Sequence, residues 1–325
     1  MTLSTSLTQL LGIDYPIVSA PMDMVAGGEL AAAVSDAGGL GLIGGGYGNA
    51  KWLTRQFDLA AGSAVGCGFI TWSLAQQPRL LDLTLEREPV AVMLSFGDPG
   101  SFATTIKSAG ARLICQIQDR VQAERALQVG ADVLVAQGSE AGGHGFGPRS
   151  TLTLVPEIVD LVDARGAGIP VLAAGGIADG RSLAAALMLG AAGVLVGTRF
   201  YATREALSTP QARDQLIAAN GDDTCRTTIY DQLRGYPWPS GHTMSVLRNS
   251  LTDRFDGTER EMLHAEDSIS EYSRAVTARD YAIANVTVGQ AAGLVNAVVS
   301  AAEVVTGMAQ LAAGTLSRRH DGPVS

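Results

Sequence analysis

The chain has 325 residues, 46% of them hydrophobic and 17% charged, with 39 glycines, which is the composition of a globular protein. A net charge of -9 argues against nucleic acid or an anionic membrane as partner. With no signal region and no apolar run of about 18 residues, the expected location is cytoplasmic. The three cysteines, Cys67, Cys115 and Cys225, are scattered and form no C-x-x-C pair, so neither a disulfide framework nor a metal site is expected.

After a short lead-in over 1–15, residues 16–22 (PIVSAPM) read as a strand running into Asp23 and Gly27-Gly28. A small-residue helix follows over 29–37, then a strand at 40–43 and a helix through 51–61. The alternation continues with strands at 64–70, 90–94, 112–116 and 133–136. Between them lie helices near 78–86, 101–108 and 119–128. Beyond a glycine loop come a helix at 154–164, a strand at 170–174, a helix at 180–189 and a strand at 193–197. Eight apolar, unalternating strands separated by helices indicate a parallel sheet covered on its outside. The expected fold is α/β, a (β/α)8 TIM barrel with its site at the C-terminal strand ends. An open doubly wound sheet is the alternative. The texture changes after Tyr201, where residues 202–285 hold most of the remaining aromatics and charges. They are expected to form an inserted, mainly helical subdomain over the barrel mouth, with helices at 207–219 and 268–278. The barrel is assigned to 1–201 and 286–315, closed by a last helix over 288–311, and 316–325 to a flexible tail.

Residues 133–147 (VLVAQGSEAGGHGFG) carry the densest signal: an apolar strand breaks at Gln137, and five glycines follow within ten residues. Glycine lets a backbone approach a ligand that side chains would exclude. His144, between Gly143 and Gly145, is the candidate base, because neutral imidazole can take a proton from a carbon acid near physiological pH. Glu140 is read as structural. AAGGI at 173–177 and VGTRF at 196–200 end strands seven and eight, where barrels commonly hold a phosphate. There Gly175, Gly176 and Gly197 would offer N–H groups and Thr198 a hydroxyl to one anion. His242 is expected near the mouth, His264 on a solvated face and His320 in the tail; Trp52 and Trp72 are read as packing. Two motifs are set aside. The G-x-G-x-x-G at 39–44 has its apolar residues as the strand itself, and Gly138-Ser139-Glu140 lacks the second glycine of a nucleophile elbow.

With these residues in view, the chain resembles the nitronate monooxygenase family, formerly called 2-nitropropane dioxygenases. The features that carry the resemblance are Ala20-Pro21-Met22, the block Gln137-Gly138-Ser139-Glu140-Ala141-Gly142-Gly143-His144, Ala174-Gly175-Gly176-Ile177, Gly197-Thr198-Arg199-Phe200 and Gly289-Gln290-Ala291-Ala292-Gly293. The resemblance implies FMN as cofactor, its phosphate on Gly175, Gly176, Gly197 and Thr198. It places Met22, Gln137, Gly142 and Gly143 along the flavin or its ribityl chain, and makes His144 the catalytic base. The implied partners are a nitronate or nitroalkane and O2, in a monomer or homodimer. NAD(P)H-dependent reductases of a quinone or an enoyl thioester belong to the same family and form the alternative. A phosphate-metabolite lyase or isomerase without flavin is a third class. The Tyr-Pro-Trp-Pro-Ser-Gly-His stretch at 236–242 matches no known substrate feature.

Overall fold

The computed structural model describes residues 3–255, 257–258 and 266–318. In chain order the strands are β1 (Ile17–Ser19), β2 (Leu42–Gly46), β3 (Gly66–Ile70), β4 (Ala91–Ser95), β5 (Arg112–Ile117) and β6 (Val133–Gln137). A short β7 (Gly143–Phe146) stands outside the barrel, followed by β8 (Val171–Ala174) and β9 (Gly193–Val196). Eight strands run parallel in the order β1-β9-β8-β6-β5-β4-β3-β2. The two ends meet where Val18 bridges Leu40 in parallel and Ser19 N–H donates to Leu40 O at 3.0 Å. The sheet is therefore a closed barrel, as the count of eight predicted. The helices between strands start at polar caps: Asn49 accepts from Trp52 N–H, Asp119 from Gln122 N–H, and Asp179 from the N–H groups of Arg181 and Ser182.

The apolar strands are unalternating because both of their faces are buried. Val18, Leu42, Met93, Ile114, Val133, Val135, Leu172 and Leu195 fill the interior, while Ile17, Ile43, Val92, Leu94, Leu134 and Val194 pack outward under the helices. The lead-in has a role that its polarity hid. Thr5 and Thr8 form a capping box for the helix Ser6–Leu11, which ends at Gly12 with φ +66°. Its Leu7 and Leu11 join the interior cluster and so plug the barrel floor.

One expectation about the later chain is refined and another corrected. The segment 202–285 is mainly helical, as expected, but it also carries a sheet: β10 (Thr224–Thr227) and β11 (His242–Leu247) pair antiparallel, and β11 also pairs with β7. The glycine loop thus contributes a strand to the sheet of the insertion. The helices expected there are Pro210–Ala218, capped by Thr209, and Glu266–Ala278. The last helix spans Ala301–Arg318, not 288–311; residues before it hold only a short 3-10 turn, Gln290–Leu294. Val288 and Gly289 are used elsewhere, against the glycine loop. His264, His320 and most of the expected tail lie outside the described residues.

The last helix lies across Gly180–Met188 and Gly28–Asp36. A Cβ on Gly180 would stand 2.5 Å from Ala312 N and from Leu311 Cβ, whereas one on Gly307 would meet nothing within 4 Å. Gly180→Ala is therefore expected to lower stability by about 1–3 kcal/mol through overpacking. Gly307→Ala, in a helix interior, should raise it by about 0.5–1 kcal/mol. Urea unfolding midpoints measure both, and equal midpoints would show that the two helices are less closely packed than described.

Candidate active site

The C-terminal ends of the barrel strands surround one cavity of about 420 Å³. The residues assigned from the sequence to the cofactor or to catalysis line it: Met22 after β1, Gln137 at the end of β6, Gly142, Gly143 and His144 beyond it, Gly175 and Gly176 after β8, and Gly197 and Thr198 after β9. This follows from the topology, since parallel strands deliver all their following loops to one face. Gly175 and Gly176 have φ of +101° and +73°, a region that favours glycine. A Cβ on Gly176 would find only the Glu140 side chain, at 3.6 Å, so the turn is open toward the cavity. Thr198 Oγ1 accepts the Gly289 N–H at 3.0 Å, which leaves its own proton to donate.

The glycines after β6 serve a different need. A Cβ on Gly142 would lie 2.6 Å from Gly289 N, and one on Gly138 would lie 2.2 Å from Thr151 N and Oγ1. Gly145 would meet Arg226 Nη2 at 2.5 Å. These positions are small so that the loop can pass between the barrel and the later chain. Glu140 has the structural role read from the sequence. Ser150 makes no side-chain cap for the helix Thr151–Ala164, and the Glu140 carboxylate instead accepts from Thr151 N–H at 2.9 and 3.0 Å and from Thr151 Oγ1 at 3.0 Å. An anion at a helix start also meets the positive end of its dipole.

Gln137 ties the loop to the barrel. Its Oε1 accepts from Gln116 Nε2 at 2.5 Å and Gln118 Nε2 at 3.0 Å, and its Nε2 donates to the His144 carbonyl at 3.1 Å. His144 therefore has a fixed backbone as well as a fixed ring. Its Nε2 is 2.9 Å from both carboxylate oxygens of Asp231, and Trp238 stacks on the imidazole with centroids 3.5 Å apart and planes within 8°. Phe96 meets the same ring edge-on at 6.2 Å. Burial pushes the His144 pKa below its ordinary value of 6.5, and the Asp231 carboxylate opposes that shift without reversing it. The ring is thus neutral at neutral pH.

Asp231, Arg234 and Trp238 are the residues that the sequence reading missed. Arg234 donates from Nη2 to Asp231 Oδ1 at 2.9 Å, and its guanidinium lies 5.1 Å from the centre of the Tyr236 ring. Tyr236 stacks on Tyr47 at 3.7 Å, and Trp238 Nε1 donates to Tyr47 Oη at 2.9 Å. Trp72, read as packing, joins this aromatic group edge-on to Trp238 at 5.5 Å. Asp23 also lines the cavity, and burial raises its pKa against the pull of Arg234. His242 sits beside it all, donating from Nδ1 to Pro239 O at 3.1 Å and 5.7 Å from Trp238, but it does not line the cavity. The sequence held one sign of these residues, the aromatic Tyr-Pro-Trp-Pro stretch, but no spacing that linked it to His144. Met24 and Phe96 add a further sign of a built site. Both are non-glycine residues with φ near +60° (+54° and +62°) and both line the cavity, a strain of about 1–3 kcal/mol each that functional sites concentrate.

The chain is similar to known proteins over most of its length. The family model described as nitronate monooxygenase matches residues 4–62 and 69–311. The nitronate monooxygenase npaC of Metarhizium robertsii is 36% identical over 320 residues, covering 89% of this chain and 88% of the relative. A (3aS,4S,5R,7aS)-5-hydroxy-7a-methyl-1-oxo-octahydro-1H-indene-4-carboxyl-CoA dehydrogenase of Mycobacterium tuberculosis is 35% identical over 269 residues, 80% of this chain and 70% of the relative. Among solved structures, FabK from Thermotoga maritima superposes with a TM-score of 0.85 at 31% identity, covering 98% of both chains. A match over most of the sequence, on a closed barrel of the same architecture, shows that the chain belongs to the nitronate monooxygenase family and is a flavin-dependent oxidoreductase of that type.

Proposed function

We propose that the protein binds FMN and oxidises alkyl nitronates with O2 to a carbonyl compound and nitrite, with His144 as the base that forms the nitronate from a neutral nitroalkane. The observation that carries this reading is the convergence of His144 with Gly175, Gly176, Gly197 and Thr198 on one cavity. The residues fit the cofactor: a Cβ on Gly176 or Gly197 would meet nothing closer than 3.5 Å, so space is left at the strand ends, and the Thr198 hydroxyl keeps a proton for a phosphate oxygen. Gly175, Gly176, Gly197 and Thr198 would hold the phosphate, and Met22, Gln137, Gly142 and Gly143 would line the flavin or its ribityl chain. When bound, FMN supplies the two-electron redox chemistry and its turnover by O2.

His144 acts on the substrate before any redox step. The bond between the α-carbon and its hydrogen breaks, the proton passes to an imidazole nitrogen, and the electron pair moves into the nitro group. The neutral ring is the competent form, and the low polarity around it strengthens its interaction with the developing anion. Tyr47, Phe96 and Phe69 give the cavity apolar walls suited to an alkyl chain.

A second reading has its own support. One relative at 35% identity is a dehydrogenase of a CoA ester, and FabK shares the whole fold. An NAD(P)H-dependent reductase of a quinone or enoyl thioester could retain every cofactor residue and differ only at the mouth. Anaerobic stopped-flow absorbance near 450 nm separates the two: bleaching by propyl-2-nitronate alone is expected here, and bleaching by NADH or NADPH alone would favour the reductase. In the same assay His144→Ala should keep its yellow FMN but lose about 10²–10⁴-fold in turnover of neutral 2-nitropropane. Full activity in that variant would remove His144 as the base.

The pH profile has a defined sign. Burial holds the His144 pKa below 6.5, so the reactive neutral ring is present above that pH and is lost as pH falls through the lowered value. The kcat/KM for 2-nitropropane should be flat from neutral pH down to about 6.5 and decline only below it; a group titrating at or above 6.5 would contradict the assignment. For the cofactor, Gly176→Leu places a side chain at φ +73° and into the open turn. FMN affinity should fall at least about tenfold, since the strain alone is worth about 1–2 kcal/mol, and fluorescence titration of released FMN reads it directly. Unchanged affinity would move the phosphate elsewhere.

A further inference from the structure

Three groups from the insertion converge on His144, and they hold it in different ways. The residue sits on β7, where its register partner is Met244 of β11. The short helix Ile229–Arg234 brings Asp231 to the ring edge, and the loop between that helix and β11 lays Trp238 on the ring face. Asp231 is 87 residues away in sequence, and its side chain is 5% exposed against 10% for His144, so the contact is closed to water. Both Asp231 oxygens stand 2.9 Å from the same nitrogen, Nε2.

A carboxylate can only accept a hydrogen bond, so Nε2 must carry the proton in this contact. A neutral imidazole has one N–H, and the lone pair is then on Nδ1. We infer that Asp231 is a positioning residue, which fixes His144 in the Nε2–H tautomer and so makes Nδ1 the atom that accepts the substrate proton. This rests on the proposed role of His144 as base. When Nδ1 gains the proton, the ring becomes a cation, and Asp231 is already in place as its counter-charge. Arg234 does for Asp231 what Asp231 does for the ring. Its Nη2 donates to Oδ1 at 2.9 Å and its Nε to Tyr230 O at 3.0 Å, which prevents the carboxylate from turning away. The charged and titratable groups that act on the ring are Asp231 and Arg234 from one helix and His242 from β11.

The bland alternative is that Asp231 merely closes an ion pair with Arg234 to dock the insertion. Asp231→Asn separates the two, because an amide fills the same space but can either donate or accept. Two-dimensional ¹H–¹⁵N spectra of the holoenzyme report which ring nitrogen is protonated, and His144→Gln identifies the His144 signals among those of four histidines. The wild type is expected to hold the His144 proton on Nε2. In Asp231→Asn the population should move toward the Nδ1–H form, with FMN still bound. The kcat/KM for 2-nitropropane should fall about 10²–10⁴-fold, the range of a lost or misoriented general base. A wild-type proton on Nδ1, or a tautomer unchanged in the variant, would overturn the inference. Should the variant not fold, the wild-type spectrum alone decides. If the spectra behave as expected but neither protein turns over nitroalkanes, Asp231 keeps its positioning role and the nitroalkane reading falls.

Discussion

The carbonyl of Glu140 accepts the Gln290 N–H at 3.0 Å, and at this point two stretches of backbone almost touch. A Cβ on Gly142 or Gly289 would stand 2.6 Å or less from backbone atoms of the other stretch. Neither position can carry a side chain without parting the two strands of chain. Much of the site depends on that approach. The loop that holds His144 leaves the barrel at Gln137, is pinned by Glu140 to the start of a barrel helix, and then joins the sheet of the insertion as β7. The N–H of Gly289 also occupies one lone pair of Thr198, so the same contact sets the hydroxyl at the far end of the cavity.

The insertion is consequently part of the cavity wall, to which it contributes Arg234 and Met244. Arg226 on β10 donates to the carbonyls of Ser139 and Thr243 and so clips the glycine loop to the antiparallel sheet. A half-buried cation of this kind is tolerated because its donors find oxygens, Thr243 Oγ1 among them. Asp231, Arg234 and Trp238 come from the same segment and give the imidazole its charge partner and its dry face. A neutral histidine in such surroundings needs both effects. Burial lowers its pKa, and the adjacent carboxylate limits how far basicity is lost.

The cavity is thus built by two parts of the chain. The strand ends of β8 and β9 and the glycines after them sit where barrel geometry puts them, at the mouth of the cavity. The other end of the cavity is lined partly by the insertion, through Arg234 and Met244. The aromatic group of Tyr47, Trp72, Phe96, Tyr236 and Trp238 joins the two, with rings from the barrel loops against rings from the insertion.

The sequence by itself was enough for the barrel. Eight apolar runs with no alternation can be buried on both faces only in a parallel sheet under helices, and polar caps such as Asp119 and Asp179 mark where those helices begin. It also exposed one half of the site, because glycine at a strand end and a histidine between glycines are local signals. The other half was not legible. His144 and Asp231 are 87 residues apart with no motif between them, and a carboxylate on a short helix looks the same in sequence whether it faces water or an imidazole. The glycines after β6 read as an opening for a ligand, yet Gly138, Gly142 and Gly145 are small because Thr151, Gly289 and Arg226 come close. The last helix was misplaced for a related reason. The apolar residues from Val288 onward have a helical look, but Gly289 and Gln290 find their partners in the glycine loop. Local pattern decides which segments can form strands and helices; only the packing of distant segments decides what a glycine is for and which nitrogen of a histidine faces a carboxylate.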